Sequence, residues 1–173
     1  MLRFSDVYHN RDVLSLRVGT SVGHAYMPIL NPNNLKIEGW YATEKGGREE
    51  MILPVAEIRD VLKNGLVVDD HEALTHVEDL IRLKDIIDLR FELIGKSVKT
   101  DEKRRLGKIS DYAVDDQTMM VQKLYVSRGA VKSLTKQDLI IDRNQIVEIN
   151  NKQVIVRDTT IRSTSGMTAP AAA

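Results

Sequence analysis

The chain has 173 residues, 42% hydrophobic, 29% charged and 5% aromatic, a composition that suits one ordinary globular domain or two very small ones. It has no cysteine, which excludes disulfides, thiolate metal sites and cysteine nucleophiles, and no apolar run approaches the roughly 20 residues of a membrane-spanning helix. Net charge is zero, yet residues 1–88 hold 10 basic against 15 acidic side chains and residues 89–173 hold 15 against 10, so the halves carry −5 and +5.

The N-terminus, Met1-Leu2-Arg3-Phe4-Ser5-Asp6, places charges where a signal peptide would place its apolar stretch, so a cytoplasmic location is expected. Beyond it, short runs rich in Val, Ile and Leu predict strands near 13–18, 22–30, 35–43, 50–54, 56–61 and 65–69. Turn residues at Asn31-Pro32-Asn33-Asn34 and Lys63-Asn64-Gly65 punctuate them. The period then changes. Thr75-His76-Val77-Glu78 has capping-box spacing, and Val77, Leu80, Ile81, Leu83 and Ile87 predict a two-faced helix to about Asp88. A helix this short must dock its apolar face on a neighbour. Strands resume near 96–100, 106–115, 118–127, 138–142, 144–149 and 153–158, and the Ser-, Thr-, Ala- and Pro-rich residues 163–173 read as a disordered tail.

The second set of strands repeats the first. Leu35–Thr43 aligns with Met119–Ser127 at an offset of 84, with Tyr41 on Tyr125, and Val22-Gly23-His24-Ala25 aligns with Leu106-Gly107-Lys108-Ile109. Farther on the offset is 88: Glu57-Ile58 meets Gln145-Ile146, and Leu66-Val67-Val68 meets Val154-Ile155-Val156. The four-residue change falls at the turn Lys45-Gly46-Gly47-Arg48. Each copy therefore predicts a small antiparallel barrel of five or six strands, with domain 1 at 10–74, the linker helix at 75–89 and domain 2 at 90–162.

Strict alternation puts Leu35, Ile37 and Tyr41 on one face of their strand and Lys36, Glu38, Trp40 and Ala42 on the other. The second copy opposes Met119, Val121 and Tyr125 to Met120, Gln122, Leu124 and Val126. The far end of each strand is thus apolar on both faces. One face fills the barrel, and the other, marked by Trp40 and Leu124, needs a cover: the helix, the sister barrel or a partner protein.

Ile94-Gly95-Lys96-Ser97-Val98, Leu106-Gly107-Lys108-Ile109-Ser110-Asp111-Tyr112, Leu124-Tyr125-Val126, Ile140-Ile141 and Val154-Ile155-Val156 together resemble the PRC-barrel domain. The resemblance covers residues 10–162 nearly throughout, and the tandem arrangement looks like that of bacterial proteins with two such barrels. It implies a contact module without catalytic residues or cofactor, since similar domains serve in a photosynthetic reaction-centre subunit and in a ribosome-maturation factor.

The remaining motifs point away from chemistry. Gly95-Lys96-Ser97 lacks the earlier glycine of a phosphate loop and enters a strand. His71 and His76 are five apart, which does not align two metal ligands on a helix face. Asp69-Asp70 and Asp115-Asp116 sit at strand ends, where turn and cap roles account for them. Lys103, Arg104 and Arg105 with Lys108 form the densest basic cluster, a solvated hairpin or an anion contact. The expectation is a non-enzymatic protein-interaction or scaffold module with an unidentified protein partner. An RNA- or ribosome-associated factor is the alternative, and the oppositely charged halves allow head-to-tail homo-oligomers.

Overall fold

The computed structural model describes residues 1–128 and 138–158, so the expected tail at 163–173 lies outside it. The fold is mainly β. Its first part comprises strands β1 (Leu2–Phe4), β2 (Arg11–Ser15), β3 (Ser21–Leu30), β4 (Ile37–Glu44), β5 (Met51–Pro54), β6 (Asp60–Leu62) and β7 (Gly65–Val68). Helix α1 (Lys84–Leu89) follows, then β8 (Ser97–Thr100), β9 (Arg105–Asp115), β10 (Met120–Ser127), β11 (Leu139–Asp142), β12 (Ile146–Ile149) and β13 (Gln153–Val156).

Two sheets have the same strand order, β5-β4-β3-β2-β7-β6 and β11-β10-β9-β8-β13-β12. The correspondence reaches single residues. Ala25 pairs with Ala42, Met27 with Tyr41, Pro28 with Trp40, Ile29 with Gly39 and Leu30 with Ile37. At an offset of 84, Ile109 pairs with Val126, Asp111 with Tyr125, Tyr112 with Leu124, Ala113 with Lys123 and Val114 with Val121. Even the two register shifts recur, so each strand pair bends and re-aims its side chains at the same places.

Two expectations are corrected here. The units are not wholly antiparallel: β2 runs parallel to β7 and β8 parallel to β13, because the first and last strands of each unit lie side by side in the same direction. Neither sheet closes by strand pairing among the described residues, since β5 and β6, and likewise β11 and β12, are the free ends of their sheets.

The linker also differs from expectation. A single 3-10 turn at Val77–Asp79 precedes α1, which has six residues. Thr75 does not cap a helix. Its backbone N–H donates to the Ile52 carbonyl and its carbonyl accepts from the Ile52 N–H, both at 2.8 Å, so the segment extends the first sheet before any helix can start. Ile87 is buried, Leu80 is half-buried and Ile81 points to solvent. The helix ends at Arg90, whose left-handed backbone (φ 43°) turns the chain towards the second unit.

The units join around an approximate two-fold axis. Leu35 and Met119 hold equivalent positive-φ turn positions at 53° and 55°. Between these turns the Ile37 N–H donates to the Met119 carbonyl at 2.8 Å, and the Val121 N–H donates to the Leu35 carbonyl at 2.9 Å. Exchanging each residue for its equivalent in the other unit, 84 positions away, turns one bond into the other, the reciprocity of an isologous contact. Arg143 reinforces the seam by donating to the Val121 and Asn34 carbonyls at 3.1 and 2.6 Å. The N-terminal segment crosses the seam: β1 pairs with β9 of the second unit, Phe4 opposite Ala113. One continuous cluster, including Tyr8, Trp40, Leu66, Leu93, Tyr112, Leu124 and Val154, spans both units.

Candidate interaction surface

The inner faces are full. Trp40 and Leu124 occupy equivalent positions, and both are fully buried in the shared cluster. The Trp40 indole N–H donates to the Tyr8 carbonyl at 2.9 Å, and the rings of Tyr8 and Trp40 stack. Strict alternation misplaced these residues. Glu38 is an extra residue in β4, between the pairings of Gly39 and Ile37, and Gln122 plays the same part in β10. Each bulge flips the alternation, so Ile37, Trp40 and Ala42 share the inner face while Tyr41 points outward.

The outer faces of the two units are treated differently. On the first, Tyr41, Ile29 and Ile52 pack with Ile87 of α1, and Val77, Leu80, Leu83 and Ile86 complete the cover. The Tyr41 hydroxyl donates to the Ile87 carbonyl at 2.5 Å, and the Arg90 guanidinium lies 4.7 Å from the centre of the Tyr41 ring. Burial pushes the Tyr41 hydroxyl up to about 12. Arg90 is also anchored by an ion pair with Glu50, which accepts a hydrogen bond from Tyr26.

On the second unit, Tyr125 and Ile140 form the pair equivalent to Tyr41 and Ile52, but no helix of the described residues packs over them. Instead β1 extends the sheet and places Phe4 against Tyr125, with ring centres 5.2 Å apart. Phe4 and Ile140 remain 50% and 51% exposed, and no described residue accepts a hydrogen bond from the Tyr125 hydroxyl. The rim is polar. Lys123 pairs with Asp142 at 2.7 Å, and Asp111 accepts from the Ser5 hydroxyl at 2.6 Å. This small apolar centre with a satisfied polar rim was not legible in the sequence, because Phe4 reaches it from the other end of the chain.

The basic cluster divides. Lys103, Arg104, Arg105 and Lys108 are all exposed. Arg104 is bound to Asp158 at 3.0 Å, whereas Lys103, Arg105 and Lys108 have no carboxylate partner among the described residues. Lys103 occupies the turn with φ 67°, the position that Gly19 holds in the first unit with φ 68°.

The other motifs serve local structure. Gly95 turns into β8 with φ 86°, and the Lys96 ammonium donates to the Asn151 carbonyl at 2.5 Å. His71 faces Asp70 at 3.2 Å and His76 faces Glu49 at 3.4 Å, so the two histidines are drawn to different carboxylates. Surface grooves of about 290 and 400 Å³ lie at equivalent places beside the seam, one by Asn34, Arg143 and Glu148, the other by Asp60, Asp116 and Met119. Both are open and lined mainly by polar groups, unlike the apolar clefts that enclose small substrates.

No protein-family model matches the chain, and no curated protein matches it. No helix of the described residues is long and apolar enough to cross a membrane.

Proposed function

We propose that the chain is a non-enzymatic cytoplasmic scaffold, built from two divergent PRC-type units, that binds a protein partner through the outer face of its second unit. One observation carries this reading: Phe4, Tyr125 and Ile140 stay open on a face whose counterpart in the same molecule is sealed by a helix. The two units agree in backbone pairing yet only one of these faces is covered within the molecule, and we assign the open one to an external contact. An apolar centre ringed by satisfied polar groups has the anatomy of a protein contact. The filled inner faces also support it, because they leave recognition to the surface.

The test is affinity capture from the native cell, with and without nuclease, using the natural chain and Ile140→Asp. Ile140 is half exposed on a sheet-edge strand, so the substitution should change stability by no more than about 0.5 kcal/mol. A protein captured regardless of nuclease and lost with Ile140→Asp supports the proposal. An unchanged capture pattern overturns it. Sedimentation at low and high salt checks the self-association suggested by the charged halves, and a monomer at both would exclude it.

A further inference from the structure

We infer that the second unit carries a separate phosphate-backbone contact, formed by Lys99, Arg105 and Lys108 on the outer side of β8 and β9, and that its ligand is duplex nucleic acid. The inference uses different side chains from the proposed protein contact, at another part of the same outer face, where Lys108 pairs with Ser127 two residues beyond Tyr125, so either can fail alone.

Register places the three cations together. Lys99 of β8 is directly opposite Arg105 of β9, and Lys108 lies opposite Ser97, two residues before Lys99. Cross-strand partners project to the same face with their side chains about 5 Å apart at the base. Like charges opposite one another in a sheet are unfavourable, and a neighbouring carboxylate would ordinarily relieve them. None does so among the described residues: Asp158 is taken by Arg104, and Asp101 accepts from the Asp158 backbone N–H at 3.1 Å.

The sister unit shows that the fold does not require these charges. There Lys99 corresponds to Leu14 and Arg105 to Ser21, which pair across β2 and β3 in the same way beside the same register shift. Lys108 corresponds to His24, which faces Asp12 at 3.4 Å. One pairing pattern thus accommodates Leu-Ser in one unit and Lys-Arg in the other. The unrelieved repulsion belongs to the surface rather than to the scaffold, and a polyanion would relieve it by exchanging its condensed counterions for the fixed cations.

The face also narrows the ligand. Ser97 offers a hydroxyl beside the cations, and no described aromatic ring lies in the row formed by Ser97, Lys99, Arg105 and Lys108; Tyr125, farther along the same face, is packed against Phe4. Single strands are gripped largely by stacking bases on such rings, whereas a duplex presents only its backbone to a flat sheet. Recognition should therefore be indifferent to base sequence.

The full-length protein would be titrated with a fluorescent 20-base-pair duplex of RNA, the same duplex of DNA and the corresponding single strand, over a range of salt. Duplex binding should exceed single-strand binding, be independent of sequence and fall with a slope of log K against log salt of about −3, as three neutralised phosphates require. The triple change Lys99→Gln, Arg105→Gln, Lys108→Gln should abolish it, while Lys45→Gln with Arg48→Gln on the first unit should leave it intact. Preference for RNA or DNA would identify the source of the phosphates. Tighter binding of the single strand, equal binding to heparin and anionic vesicles, or persistence in the triple variant would overturn the inference. Loss of nucleic acid with retained protein capture would confirm two independent surfaces, and duplex binding that survives Ile140→Asp would do the same.

Discussion

The outer faces of the two units make a controlled comparison inside one molecule. Backbone pairing is the same, down to the bulged residues, but one face binds helix α1 and the other is flanked by strand β1. Around the shared Tyr–Ile pair, Met27 and Ile29 of the first unit become Asp111 and Ala113 in the second, and Gly39 and Pro54 become Lys123 and Asp142. A covering helix requires a wide apolar floor; a strand added at the edge leaves the floor to solvent, where charges fit better. The sheet framework therefore tolerates either solution, and the segment preceding one unit treats the outer face of the other: α1, ahead of the second unit, covers the first, and β1, ahead of the first, flanks the second.

The largest test of this equivalence concerns the backbone. A Cβ built on Gly107 would lie 2.2 Å from the Ser127 carbonyl oxygen, and one on Gly23 would lie 2.6 Å from the equivalent Thr43 oxygen. Gly107 additionally has φ 149°. Gly107→Ala should destabilise by about 3 kcal/mol and Gly23→Ala by less, measured by urea unfolding. Equal costs would mean that the two bulged hairpins are interchangeable after all.

A smaller effect separates the two tyrosines. Tyr41→Phe removes the hydroxyl bond to the Ile87 carbonyl and should cost about 1 kcal/mol. Tyr125→Phe removes no bond to a described residue and should lie within about 0.5 kcal/mol of the natural chain. A comparable loss in both would show that the second face is covered in solution too.

The smallest difference should appear in acid. The hydrogen bonds from the Arg59 guanidinium hold Asp69 below the usual carboxylate range, and those from the His71 backbone and side chain do so for Asp70. A carboxylate depressed in the folded state stabilises above its unfolded pKa, near 4, and loses that contribution as pH falls through the lower folded value. The second unit has Arg157 where the first has Asp69, and Val147 where the first has Arg59, so the pair is absent there. Asp69→Asn should flatten the thermal-stability profile below about pH 4 and leave it unchanged near pH 7 relative to its own plateau. A profile of unaltered slope would place the acid sensitivity elsewhere.

Much of this architecture was legible in the chain. The offsets 84 and 88 located equivalent strands because the inward apolar positions, such as Leu66 and Val154, must be kept in both copies. What alternation could not show was Glu38 and Gln122, whose one-residue excess moves Trp40 inward without any change in composition. The capping-box spacing at Thr75 was present but overridden, since a backbone bridge to Ile52 satisfies the same groups earlier. Of the basic cluster, only position was legible. Separating Arg104 from Arg105 required knowing that Asp158 returns beside the hairpin, and Lys99 joins the cations only through strand register.

The reciprocal bonds between the Leu35 and Met119 turns bear on the history of the molecule. A contact in which each half gives the other what it receives is the arrangement of a symmetric homodimer, in which every substitution must be tolerable twice. With both halves in one polypeptide that restriction is lifted. Leu14 and Lys99, or Gly19 and Lys103, can then follow separate courses while the shared axis stays fixed.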